Sequence, residues 1–276
     1  MSWKEIVVSV KPQRIEGPYL SFAAQLAARF KARLTAVYAL SDLALLKEIF
    51  AIRDPELVAK RSTDAYLEAA RAEEAYRAFV AREGLECDWY VGEGDPAQVM
   101  VLAGRAADLI VLEQRVPGAH ESAWHVAEEA ALMTGTPAIV VPREVSHQTI
   151  GRRLLVAWNG SREAAGAVGA AMPLVDSAES IVLAVGKSEE RFGTVTRRPD
   201  VTIERRLAQH NTAVERIEFA PARGEEGREL LATAHRHRCD MIVMGAYGRS
   251  RVREWLLGGA TRDVLAQMDL PVLFGR

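Results

Sequence analysis

Four glycines, Gly245, Gly248, Gly258 and Gly259, fall within seventeen residues near the end of the chain, with "RSRVREWLL" between the two pairs. Glycine lets the backbone take positive φ and approach a ligand with no Cβ in the way. The second pair precedes "ATRDVL", which reads as the body of a helix. The free N–H groups and dipole of a helix start favour a phosphate anion. The dipole contributes about 0.3–1 kcal/mol in exposed settings and up to about 2 when partly buried. A micromolar nucleotide needs about 8 kcal/mol, so base and ribose contacts must contribute too. The same glycines also fit plain turn geometry. The segment is neither the Walker pattern G-x-x-x-x-G-K-[ST] nor G-x-G-x-x-G. Residue chemistry alone therefore gives an anion-friendly loop.

Other candidate groups are weaker. His235, His237 and Cys239 lie in "HRHRCD", which reads as a solvated helix end and lacks zinc-type spacing, so no metal site is expected. His120, His125, His147 and His210 form no constellation. Arg197 and Arg198 match phosphates bidentately, but their charged stretch, 187–200, reads as a solvated loop. Arg249, Ser250 and Arg251 have the better claim because they lie inside the glycine segment. Ser161, following Asn159-Gly160, reads as a helix N-cap rather than a nucleophile. No Ser-His-Asp or Cys-His pattern is legible and no residue is an evident general base; slow hydrolysis of a bound nucleotide is the most catalysis expected.

The elements that must position these residues occur twice. "AADLIVLEQR" (106–115) and "RCDMIVMGAY" (238–247) each carry an Asp followed by four apolar residues. Each is followed, some thirty residues on, by a Pro-led apolar run, "PAIVVP" or "PVLFG". "WKEIVVSV" (3–10) matches "RRLLVAWNGS" (152–161). Two domains are expected, 1–145 and 150–276, joined near "REVSHQTIGR" (143–152), which is polar and carries a glycine. Strands are predicted near 4–10, 33–40, 86–91, 107–112 and 137–141, then 153–158, 179–185, 213–219, 240–244 and 271–274. Helices are predicted near 18–31, 56–82, 96–105 and 123–134, then 161–171, 199–210, 225–237 and 255–268. Continuous apolar runs such as "LIVL" and "MIVM" suit parallel strands buried on both faces. Their alternation with helices implies a doubly wound α/β sheet. Met244 then ends a strand and Gly245 opens the loop at its carboxyl end, the edge where such sheets hold ligands.

Composition narrows the setting. Of 276 residues, 49% are hydrophobic and 26% charged, as in ordinary globular domains. A formal charge of −2 supplies no basic field for nucleic acid or anionic lipid, so neither partner is expected. No apolar run approaches the roughly 18 residues a bilayer span needs, and "MSWKEIVVSV" does not read as a signal peptide. Two distant cysteines, Cys87 and Cys239, argue against a disulfide framework, and a cytoplasmic location is expected.

"MGAYGRSRVREWLLGGAT" resembles the signature of the universal stress protein family: Gly, two residues, Gly, nine residues, Gly, then usually Ser or Thr. "LLVAWNGSREA" is similar to that family's first strand and following loop, and "GEGDPAQVMVLAGRAADLIVL" to its third-helix and fourth-strand segment. The resemblance covers both copies, as in a tandem member. It implies a Rossmann-like five-stranded parallel sheet in each domain, order 3-2-1-4-5. In the family's nucleotide-binding branch it implies ATP, with or without Mg2+, at the carboxyl ends of the first and fourth strands. On matching positions Ala157, Trp158 and Asn159 flank adenine and ribose, with Val185 and Met244 beside them. Gly245, Gly248, Arg249, Gly258, Gly259, Ala260 and Thr261 surround ribose and phosphates.

Two departures bear on affinity. Asn159 stands where the family usually has Asp, keeping hydrogen-bonding capacity without the charge. Gly259 stands where Ser or Thr is usual. Trp158 replaces a small polar residue, and either stacks on a base or blocks one. The first copy departs further, with Glu113 at the position of Gly245, Gly118 its sole glycine in that region, and "VVSVKPQ" in place of Asp-Gly-Ser. A carboxylate there repels phosphate, so that domain is expected to be a structural partner. The resemblance also implies an internal pseudo-dimer meeting through "AIVV" and "VLF", or a homodimer. The expected role is a nucleotide-responsive regulator or protector under stress. The alternatives are a scaffold that acts through an unknown protein partner, favoured by Asn159 and Gly259, and an enzyme with an adenylate intermediate. The last wants a loop like S-G-G-x-D-S, which "WNGSRE" is not.

Overall fold

The computed structural model describes residues 2–11, 15, 17–50, 53–114, 133–144, 149–187, 201–210, 213–246 and 259–275. The chain divides into two compact units, Ser2–Arg143 and Glu144–Arg276. The first runs β1 (Glu5–Ser9), α1 (Pro18–Phe30), β2 (Arg33–Leu40), α2 (Ser41–Phe50), α3 (Pro55–Arg82), β3 (Cys87–Glu93), α4 (Pro96–Gly104), β4 (Leu109–Glu113) and β5 (Ala138–Val141). Its strands lie in the order β3-β2-β1-β4-β5, each pair parallel. The second runs β6 (Arg153–Trp158), α5 (Arg162–Ala170), α6 (Met172–Val175), β7 (Ser180–Val185), α7 (Ile203–Ala208), β8 (Ala213–Glu218), α8 (Glu226–Arg236), β9 (Met241–Gly245), α9 (Gly259–Gln267) and β10 (Val272–Gly275). Its order is β8-β7-β6-β9-β10, again all parallel. Each unit therefore has the 3-2-1-4-5 topology that the family resemblance implies.

The repeated aspartates explain how the central strands begin. Asp108, just before β4, accepts hydrogen bonds from the backbone N–H groups of Lys4 (2.6 Å) and Glu5 (3.0 Å). Asp240, just before β9, accepts from Arg152 (3.0 Å) and Arg153 (3.1 Å). Each carboxylate satisfies two donors at the entry to its neighbouring strand, where the ladder has not yet started. After it come the apolar runs Leu109–Leu112 and Met241–Met244, all buried. Three helices start on side-chain caps here: Asp54 accepts from Leu57 N–H, Asp95 from Ala97 and Gln98, Thr202 from Arg205. Pro55 and Pro96 occupy the first helical position, where a missing N–H costs nothing.

Two helices lie outside the sequence expectation. α2 follows β2 directly, Leu40 ending the strand and Ser41 beginning the helix, so no loop separates the two periods. α6 is a single turn continuous with α5 through Ala171, and Pro173 masks it. The predicted helix 123–134 lies outside the described residues apart from its last two positions, and the stretch 188–200 lies outside them entirely. The long helix α3 is anchored by Tyr76, whose hydroxyl donates to Leu34 O at 2.6 Å and whose ring lies 5.6 Å from Trp89.

Candidate functional site

In the second unit β6 pairs with β7 on one side and β9 on the other, so the connections diverge at its carboxyl end. That divergence leaves a crevice at the strand ends where open α/β sheets take ligands. β6 delivers Ala157 and Trp158 there, and Trp158 lies in register with Val185 of β7. The turn that follows is tightly tied. Asn159 Oδ1 accepts from the N–H of Ser161 at 3.1 Å, Gly160 takes φ +75°, and Ser161 Oγ accepts from Ala164 N–H at 3.1 Å. Ser161 is thus the N-cap of α5, as its sequence context predicts. Because Asn159 spends its oxygen on this turn, its amide hydrogens remain to donate outward. Gly186 carries the edge onward, its N–H donating to Trp158 O at 2.7 Å.

Gly245 ends β9 under the first turn of α5. A Cβ there would stand 2.6 Å from the carbonyl carbon of Glu163 and 2.7 Å from Ala164 N, so glycine is required for the helix to sit so close. Its in-register neighbour Gly275 on β10 meets α5 in the same way, 2.4 Å from Ala167 Cα. The packing requirement at Gly245 is additional to the ligand role the sequence suggests. Gly259 is the first residue of α9, and among the described residues nothing lies within 4 Å of its would-be Cβ. α9 is held against α8 at Gly227, where a Cβ would lie 2.8 Å from Ala260 O and 3.1 Å from Val264 N. Thr261 is buried and Met244 is 6% exposed. Gly248, Arg249 and Gly258, with Ser250 and Arg251, lie outside the described residues.

Glu163 is a residue that motif reading passes over. It is the second residue of α5 and 3% exposed, with Arg162 Nη2 3.2 Å from its Oε1. The legible signal was its spacing: it lies four residues before Ala167, on the face that α5 turns to the sheet. In the first unit the corresponding helix position is Tyr19, and the strand residue matching Gly245 is Glu113, one of whose carboxylate oxygens is buried.

The histidines near Cys239 are engaged elsewhere. His235 Nε2 lies 2.9 Å from Asp269 Oδ2, and His237 Nδ1 lies 3.4 Å from Glu215 Oε1. Among the described residues no group of three or more His, Cys, Asp or Glu could hold a metal ion, and no helix is long and apolar enough to cross a membrane.

Fold and crevice together define a doubly wound, Rossmann-like α/β protein. The model of the universal stress protein family matches residues 151–276, the second unit of the chain. The chain as a whole shares its fold with a universal stress protein from Archaeoglobus fulgidus, at 15% identity and TM-score 0.68, covering 99% of this chain and 96% of that one. A functionally unknown protein from Pseudomonas aeruginosa matches at 14% identity and TM-score 0.60, covering 99% and 92%. No curated protein sequence matches the chain.

Proposed function

We propose that this protein binds ATP at the carboxyl edge of β6 and β9 in its second unit, and that it acts as a nucleotide-responsive stress regulator or protector rather than as a catalyst. The observation that carries this reading is the switch point at β6, whose end at Trp158 and Asn159 lies between β7, ending in Val185, and β9, ending in Gly245. The residues present suit the ligand. Gly259 begins α9 with no Cβ of its own, and the helix dipole favours an anion there. Asn159 has amide hydrogens to donate, and Trp158 offers a half-buried ring beside them. Ala157, Trp158, Asn159, Val185 and Met244 would serve adenine and ribose. Gly245, Gly248, Arg249, Gly258, Gly259, Ala260 and Thr261 would serve the phosphates. ATP brings a triphosphate, carried with Mg2+, whose charge distinguishes it from AMP.

A scaffold role is the second reading. Exposed apolar side chains in the first unit favour it: Ile49, Tyr66 and Leu67 on α2 and α3, and Tyr90 on β3. Calorimetric titration of nucleotide-free protein separates the two. One site per chain, with Mg-ATP tighter than AMP and lost in Gly248→Val, is the expected result. Absence of heat to millimolar ATP at two temperatures supports the scaffold instead.

A further inference from the structure

A carboxylate buried beside Gly245, one of the residues assigned above to the phosphates, needs a reason. Glu163 has 4% of its side chain exposed, and its Cβ lies 2.9 Å from where a Cβ on Gly245 would stand. Its charge is tolerated for two local reasons. The first turn of α5 presents the positive end of a helix dipole, and Arg162 Nη2 lies 3.2 Å away. Arg162 is a loose partner, with 58% of its side chain in solvent, so the pair is unevenly screened. The first unit has Tyr19 at this helix position, so Glu163 belongs to the half that kept its glycine pattern.

The consequence is electrostatic. Any phosphate drawn to Gly245 approaches a fixed negative charge that bulk water screens poorly. That repulsion opposes the attraction of the start of α9. A divalent cation carried on the phosphates reverses the balance: a hard cation is held by one or two carboxylates together with phosphate oxygens and retained waters. The described residues offer no cluster that would hold such an ion alone, so it would arrive with the nucleotide.

Building on the nucleotide reading above, we infer that Glu163 is a specificity-determining residue that makes nucleotide binding depend on a divalent cation. It disfavours metal-free triphosphate and admits the magnesium-bound form. The test is an ATP titration of the full-length wild type, Glu163→Gln and Glu163→Ala, each in excess Mg2+ and in EDTA, with circular dichroism melts to verify folding. The wild type should lose about tenfold or more in affinity in EDTA, within the usual range for coupling between two ligands. Both variants should bind metal-free ATP about tenfold more tightly than the wild type, and their magnesium dependence should shrink to about twofold. The glutamine variant keeps the shape of the side chain, and the alanine variant suits the helix, so a folding defect in one leaves the other as the test. Equal affinity of the wild type with and without Mg2+, or variants with wild-type metal dependence, would overturn the role of Glu163 while leaving ATP binding in place. No ATP binding by any form in either buffer would overturn the nucleotide reading and this inference with it.

Discussion

Burial pushes the Cys239 thiol up to about 11, the loss of water outweighing the nearby Arg153 guanidinium that pulls it down. A thiol held there carries almost no thiolate near neutral pH and is inert to alkylation. Cys87 is half-buried, with Arg77 Nη1 3.9 Å from its sulfur. Iodoacetamide at neutral pH should therefore label native protein once, at Cys87, and label Cys239 after denaturation; peptide mass spectrometry reads this directly. Rapid labelling of both thiols in the native state would contradict the packing around β9. The same shift has a sign for stability. Because the unfolded chain gives up this proton at lower pH than the folded one, stability is full below the ordinary thiol range and declines as pH rises toward 11. Glycines separate just as clearly by what surrounds them. Gly275→Ala drives a Cβ into the α5 backbone, 2.4 Å from Ala167 Cα and 2.7 Å from Ala167 N, and should destabilise by about 1–3 kcal/mol. Gly169→Ala, inside α5, meets nothing closer than Arg206 Nη2 at 4.0 Å and should stabilise by about 0.5–1 kcal/mol. Urea unfolding of the two variants beside the wild type reads both signs.

Helices and strands inherit their positions from such contacts, and α9 is the case that matters for the site. Its first turn is fixed by the close approach of α8 at Gly227, where Asp263 Cβ, Ala260 O and Val264 N all lie within 3.1 Å of the missing Cβ. Gly227→Ala should push α9 off α8, costing about 1–3 kcal/mol, and should weaken ATP binding although residue 227 lies outside the residues assigned to the nucleotide. Calorimetry beside urea unfolding tests this; unchanged affinity in a destabilised variant would mean that the start of α9 is not part of the site. The same reasoning shows where the sequence was legible. Apolar runs such as Leu109–Leu112 and their repeat Met241–Met244 betray buried parallel strands, and capping residues such as Asp95 and Ser161 mark helix starts. α2 escaped because it begins at Ser41 directly after β2 ends at Leu40, with no loop segment between the two elements to mark a boundary. At the site, motif spacing identified Gly245 but not its packing against Glu163, because a close approach between a strand end and a helix backbone leaves no trace in either segment alone. The spacing of Glu163 from Ala167 was legible, but in "SREAAG" it looks like an ordinary acidic first-turn residue, and its contact with Gly245 is not written in that segment.

At the scale of the whole molecule the two units share a topology and differ in what stands at the fourth-strand end. β4 ends in Glu113 and β9 in Gly245, so the same edge carries a carboxylate in one unit and a glycine packed against α5 in the other. α1 starts behind Gly17 with no side-chain cap, whereas α5 starts on the Ser161 cap with Glu163 in its first turn. A fold repeated with one edge altered predicts an asymmetric response to ligand. ATP at about a hundred times its dissociation constant should raise the stability of the unit that binds it by about 2.7 kcal/mol. Hydrogen exchange resolves which unit gains. Protection should rise in β6, the start of α5, β9 and α9, while peptides from β1, α1 and β4 change little; local opening, rather than global unfolding, makes this difference readable. Glu113→Gly tests the other side of the asymmetry. If Glu113 is what excludes phosphate from the first unit, its removal should leave the second site's affinity unchanged, because that site draws on none of the first unit's residues. A large loss of ATP affinity in Glu113→Gly, or equal protection of both units in the wild type, would mean that the two halves contribute to one binding event.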